Sequence, residues 1–320
     1  MQNRTSTRSI VEAGLLTAIN VVLILASIYV PFLYFVGIFL WPIPIALTFL
    51  RHNFKYSLLS VIATGAIVAF TVDPITAVSF AIIYGALGLV MGYCIKKQKS
   101  VITTFTFMSI VVFISTAVLI KLSNLILGQD ILKSMIQMLD ESVKITKEIY
   151  GGLGVPQEQI DLLLKKLIPS PDIIIMVFPV TMLLYSLMSA LVSYLFAYKI
   201  FNRFGYKVEK IKPLSQWYIP VKLATAILVI VLVSFILVVT KFPNALSYYY
   251  NAQILFSFVF TINGIAAVDF YFIKREMKGF LRFLIIFFIM TSPLSNIIFI
   301  IGIMDYIFNY RKLDYKRIRK

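Results

Sequence analysis

Residues 280–310 read FLRFLIIFFIMTSPLSNIIFIIGIMDYIFNY, and the ten that follow read RKLDYKRIRK. The block is longer than the roughly 20 apolar residues that cross a hydrocarbon core about 30 Å thick. Thr291-Ser292-Pro293-Leu294-Ser295-Asn296 interrupts it midway. A single span here would place Arg311, Lys312, Lys316, Arg317, Arg319 and Lys320 on the far side from the basic segment Lys274–Arg282. Cations resist translocation. Two short helices joined at Pro293 return the tail to the starting side, and that arrangement is expected.

Working back from this block, apolar runs of spanning length recur throughout. They cover Ile10–Val30, Phe32–Leu50 (bent at Trp41-Pro42-Ile43-Pro44), Tyr56–Val72, Ile75–Ile95 and Val101–Leu127. After a 44-residue polar interval come Asp172–Ala197, Val221–Val239 and Ala252–Ile273. With a cytoplasmic amino terminus, most Lys and Arg fall in inside connections. The outer side receives only seven, Lys121, Lys133, Lys144, Lys147, Lys165, Lys166 and Lys241. The expected fold is therefore an all-α polytopic transmembrane helical bundle of eight spans plus a Pro-broken hairpin. Both termini are expected to be cytoplasmic.

Composition narrows the chemistry. Hydrophobic residues make up 60% and charged ones 14%, with mean hydropathy +0.92, which a single globular core could not bury. The net charge of +16 is accounted for by basic inside loops facing anionic lipid, so nucleic acid is not an expected partner. One cysteine, Cys94, and one histidine, His52, exclude an internal disulfide and a multi-cysteine or two-histidine metal site. No nucleophile elbow and no phosphate-cradling glycine loop occurs. No catalysis, cofactor or resident metal is expected.

The interval 128–171 separates residues 1–127 from residues 172–320. It carries two helical stripes, Leu132-Met135-Ile136-Leu139-Val143-Thr146 and Ile160-Leu163-Leu164-Leu167, divided by Gly151-Gly152-Leu153-Gly154. Two amphipathic helices are expected, on the outer membrane surface or over the bundle, the second with Pro156 in its first turn.

Candidate functional residues are those that are expensive in lipid. Thr17, Asn20 and Ser27 share one stripe of the first helix, while Gly14 and Ala18 form a small-residue notch on nearly the opposite side. A polar stripe in mid-membrane must face protein or a cavity. Asn263 lies mid-span, and Asp269 is five residues from Lys274, close enough for a charge pair near the headgroups. Ser292 and Asn296 flank the Pro293 break, where half-helix ends expose backbone groups that can bind ions or solutes. Gly85, Gly88 and Gly92 mark a close-packing face of the fourth span.

Segments of this kind carry a resemblance. Gly14 with Ala18, the run from Trp41 to Leu47, Arg51-His52-Asn53, Asp73-Pro74, the run from Tyr84 to Tyr93, and the Lys212–Pro220 segment occur in order. Together they resemble the YybS-like family of uncharacterised bacterial membrane proteins, itself similar to the S components of energy-coupling-factor transporters. S components meet a transmembrane coupling subunit through an alanine-xxx-alanine pattern on helix one. Gly14-xxx-Ala18 stands in that place here. The chain departs from the usual six helices of S components. The resemblance implies a small-solute binding or transport subunit working with a coupling subunit and a separate ATPase. Thr17, Asn20, Ser27, Asn263 and the Pro293 break are expected to line its cavity. The alternative expectation is a regulatory or scaffold protein recruiting a cytoplasmic partner through Lys207, Lys210 and Lys212.

Overall fold

Proline and short polar caps cut the apolar chain into helices. The computed structural model describes residues 2–128, 130–292 and 294–313, and every regular element among them is helical. α1 (Gln2–Tyr29) ends before Pro31, which opens α2 (Pro31–Leu40), and Pro42 opens α3 (Pro42–Arg51). Proline is tolerated in a first helical turn because its missing N–H would have had no intrahelical partner there. α4 (Phe54–Thr71) begins at Asn53, whose side-chain oxygen accepts from the Tyr56 amide at 3.3 Å. Asp73 caps α5 (Pro74–Ser79) in the same manner, accepting from the Thr76 amide at 2.8 Å.

α5 continues through a π-helical turn over Phe80–Gly85 into α6 (Ala86–Lys96), and the three pieces make one span. α7 (Val101–Leu127) stops at Gly128, whose φ of +62° suits a residue without Cβ. The remaining helices are α8 (Ile131–Gly152), α9 (Gln157–Leu167), α10 (Pro171–Arg203), α11 (Val221–Val239) and α12 (Ala245–Lys274), followed by α13 (Gly279–Thr291) and α14 (Ser295–Phe308). Among the described residues eight helical segments are long and apolar enough to cross a membrane, and α13 and α14 form a pair bent by 108°. The protein is a polytopic helical membrane protein. Pro293, to which the bend was assigned, lies outside the described residues, as do Lys316, Arg317, Arg319 and Lys320.

The larger differences between helix ends and apolar runs are extensions. α1 starts at Gln2 rather than Ile10, α10 reaches Arg203 and α12 starts at Ala245. Hydropathy marks the part that dissolves in lipid, whereas backbone hydrogen bonding carries a helix on into the polar zone. In the interval, Pro156 lies just before α9 rather than within it. α8 and α9 form a hairpin tied by Lys147 Nζ and Asp161 Oδ1 at 2.6 Å. No residue of α8 is buried: Leu132, Ile136, Leu139 and Val143 of its apolar stripe are half-buried, and Met135, Ile145 and Ile149 are exposed, so much of its apolar surface is left uncovered. It is free to lie in the membrane interface.

By contacts the chain divides into two units, residues 1–168 with 181–211, and residues 169–180 with 212–320. In the first, Gly88 and Gly92 let α6 close on α3: a Cβ at Gly92 would sit 2.6 Å from Phe49 Cβ, and one at Gly88 would sit 2.7 Å from the Pro42 carbonyl oxygen. Gly85 meets a different neighbour, Val61 of α4, so the three glycines do not serve one helix. The π turn ending at Gly85 shifts the register between them.

The division falls beside Pro179, which interrupts α10. A proline inside a helix frees carbonyls on the preceding turn. Asn251 of α12 repairs the break: its Nδ2 donates to the Met176 carbonyl at 2.6 Å and its Oδ1 accepts from the Val180 amide at 2.9 Å. Ser247 Oγ adds a second bond to Met176 at 3.0 Å. One amide side chain thus satisfies both sides of a discontinuity that lipid could not.

Candidate functional site

α1 presents two chemically distinct faces to its surroundings. Thr17, Asn20 and Ser27 are buried, while Gly14 and Ala18 are exposed, and a Cβ at Gly14 would meet nothing within 4 Å. The ends of the polar stripe are satisfied. Thr17 Oγ1 donates to the Ala13 carbonyl at 2.8 Å and lies 2.8 Å from Ser60 Oγ of α4. Since the one Thr17 proton serves Ala13, Ser60 is the donor of that pair. Ser27 Oγ donates to the Leu23 carbonyl at 2.6 Å and accepts from Trp41 Nε1 at 3.3 Å.

The middle of the stripe is not satisfied. Asn20 is fully buried, and neither its Oδ1 nor its Nδ2 has a hydrogen-bond partner among the described residues. Thr64 Oγ1 on α4 is also fully buried and unpartnered. α1 and α4 are the first and third spans and so run in the same sense. From the Thr17–Ser60 contact, Asn20 and Thr64 each lie about one helical turn further on. Ser189 and Ser193 on α10 complete a set of buried hydroxyls without partners in this unit. Helical Ser and Thr ordinarily bond back to the carbonyl four residues earlier, as Thr17 and Ser27 do. Leaving a buried polar group unmade costs about 1–3 kcal/mol each.

Next to Ser27 the π turn assembles aromatic rings. The Trp41 ring lies 5.0 Å from Tyr84 and 6.3 Å from Phe80, and Tyr84 Oη is 3.2 Å from Tyr185 Oη of α10. This group was not visible as a site in the sequence, where Trp41 and Tyr84 are separate members of apolar runs.

The second unit treats its polar residues differently. Gly264 of α12 and Gly302 of α14 are packed so closely that a Cβ on Gly302 would overlap the Phe260 carbonyl oxygen. Asn263 Nδ2 donates to the Gly302 carbonyl at 2.9 Å and to Asp305 Oδ2 at 3.2 Å. Arg311, 5% exposed, donates to Asp305 Oδ2 from Nη2 at 2.8 Å and from Nε at 3.1 Å. It also donates to Asn263 Oδ1 and to the Ser215 carbonyl, each at 2.9 Å. Asp305 Oδ1 has no partner and borders a hollow of about 10 Å³, the volume one water occupies. Asn263 was singled out in the sequence, but Asp305 and Arg311 were not. The signal was present in Asp305, an acid in an otherwise apolar block. Arg311, expected as a free tail cation that sets topology, is instead neutralised inside the unit.

The other candidates are dispersed. Asp269 pairs with Arg282 of α13 at 2.6 Å rather than with Lys274. Ser292 Oγ donates to the Ile289 carbonyl and accepts from the Leu294 amide, a local turn, and Asn296 is exposed. Thr17, Asn20 and Ser27 belong to the first contact unit, whereas Asn263, Asp269, Ser292 and Asn296 belong to the second. No group of three or more metal-ligating side chains occurs among the described residues.

Residues 18–306 match the family described as "Predicted membrane protein (DUF2232)". The chain belongs to this family. It is also similar to "Uncharacterized protein YybS" of Bacillus subtilis (strain 168), 23% identical over 315 residues, covering 95% of this chain and 98% of the relative. No solved structure matches.

Proposed function

We propose that the protein is an S-component-like subunit that binds a small solute inside its first contact unit and assists its passage, without an ATPase of its own. The observation that supports this reading is Asn20, a fully buried amide whose donor and acceptor both lack a protein partner. A side chain of that kind is retained in a bilayer at a cost, and a solute offering a donor and an acceptor would offset it. Asn20 is sealed in the packed bundle, so a solute reaches it when α1 and α4 part. The exposed Gly14–Ala18 face supports docking of a transmembrane coupling subunit that would drive such a motion, with a separate ATPase behind it. In this reading the membrane is the bacterial cytoplasmic membrane and both termini are cytoplasmic.

The test is native mass spectrometry and thermal shift of the gently extracted protein against vitamins and metal ions. Wild type should retain or be stabilised by a solute, and Asn20→Leu should lose that response while remaining folded. No response from wild type, with Asn20→Leu merely more stable, would overturn the proposal.

A second reading is recruitment of a cytoplasmic partner by the basic segment after α10. It is favoured by how firmly that segment is held: Tyr194 Oη donates to the Glu209 carbonyl at 2.8 Å, and Asn202 bonds Val208 through both its oxygen and its nitrogen. Lys207, Lys210 and Lys212 are exposed. Partner capture that survives Asn20→Leu but is lost when these three are neutralised would select this reading.

A further inference from the structure

One end of the first unit carries a slot of about 560 Å³ between α3, α4 and α6. Phe49 forms its buried floor, and Phe54, Leu89, Val90 and Tyr93 form its walls. The tight packing of α6 on α3 at Gly92 fixes that floor. The lining changes character at one end only, where Asn53, Lys96 and Lys97 stand. Here the second span ends, the third begins and the fourth ends. The polar end therefore sits at the membrane boundary, and the apolar slot runs from it into hydrocarbon.

The two lysines differ. Lys96 Nζ donates to the carbonyls of Phe49 at 3.1 Å and His52 at 2.5 Å and lies 5.7 Å from the Phe49 ring centre, so it is part of the wall. Lys97 is exposed, and no carboxylate lines the slot. Glu12 is engaged elsewhere, with Arg8 at 3.0 Å and His52 at 3.3 Å. Exposed Lys55 and Lys99 extend the same basic collar.

We propose that this slot binds one anionic phospholipid, its phosphate at Lys97 and one acyl chain against Phe54, Leu89 and Val90. Within a bilayer the tails of all lipids are equally apolar, so an apolar slot cannot choose among headgroups. Selectivity resides in the charge at the mouth, where each exposed lysine favours an anionic lipid about fivefold and Lys97 is the lining lysine not engaged by backbone carbonyls.

Native mass spectrometry of delipidated protein, mixed with phosphatidylglycerol or phosphatidylcholine of identical chains, reads this directly. Wild type should retain phosphatidylglycerol at least about fivefold more. Lys97→Gln should lower that preference about fivefold, and Val90→Trp, which fills the slot, should lower retention of both. Lys97→Gln alters an exposed side chain, so it decides the matter even if the tryptophan variant fails to fold. Equal retention by wild type, or a preference unchanged in Lys97→Gln, overturns the proposal. So does inorganic phosphate alone stabilising the protein as well as the lipid does.

Discussion

Arg311→Met should cost the protein about 3–5 kcal/mol, the range for stripping one partner from a buried ion pair. The geometry places it there. Asp305 Oδ2 accepts from Arg311 Nε, Arg311 Nη2 and Asn263 Nδ2, so the change removes two of three donors from a buried carboxylate. The same change leaves the Asn263 Oδ1 and Ser215 carbonyl acceptors unfilled. Arg311 also sits just past the carboxyl end of α14, where a cation faces a favourable dipole. Asp305→Leu should cost a similar amount, now by stranding the guanidinium. The double variant should recover the ion-pair part of the loss, because an apolar pair in place of a buried ion pair is near neutral, while the Asn263 and Ser215 acceptors stay unfilled. In detergent, each single variant should melt on the order of 10 °C lower, with the double variant no lower than either single one. Additive losses in the double variant would refute the pairing, and so would a single-variant loss below about 0.5 kcal/mol, the range of an ordinary surface substitution.

Gly302→Ala should separate α12 from α14 and cost about 1–3 kcal/mol as overpacking, whereas Gly14→Ala, where a Cβ meets nothing within 4 Å, should leave the melting curve unchanged. Asn251→Leu leaves the Val180 amide beside Pro179 unsatisfied and the Met176 carbonyl with Ser247 alone, and should cost about 1–3 kcal/mol, seen as early melting and faster proteolysis. The Thr76 side chain and amide hydrogen-bond Asp73 and hold its carboxyl below the ordinary range near 3.9. That stabilisation is complete above about pH 5 and is lost as pH falls through the lowered value. Asp73→Asn, which can still cap, should flatten this acid limb of the stability profile; an unchanged limb would assign it to other carboxylates.

The span pattern was legible because its punctuation is local. α7 and α11 fall where their apolar runs end, since Ser100, Gly128 and Pro220 act within a residue or two of themselves. The π turn at Phe80–Gly85 was hidden: its residues are as apolar as their neighbours, and nothing in composition distinguishes a wide turn from a regular one. Pro179 is visible in the sequence, but its repair comes from Asn251, far along the chain and in another helix. Arg311 was hidden for a different reason. Within a run of tail cations, only a neighbouring Asp305 and an acceptor on α12 single it out, and both are matters of packing. Asn20 was legible as a polar residue in a span, yet its lack of a partner depends on where Thr17, Ser60 and Trp41 direct their bonds.

The two units solve one problem, polar groups inside a membrane protein, in opposite ways. In the second, Asn263, Arg311 and Ser215 supply one another and most of Asp305, leaving one oxygen beside a hollow fit for one water. Such a cluster is consistent with fixing how α12 meets α14, and a solute larger than water would have to break bonds to enter it. In the first, Asn20, Thr64, Ser189 and Ser193 are buried with bonds still to make. A group that must bind and release a solute cannot be fully satisfied by the protein, because binding would then gain nothing. The unsatisfied interior is thus the better candidate for transport, and the satisfied one for architecture, although the sequence marks both with the same residue type, an asparagine in mid-span.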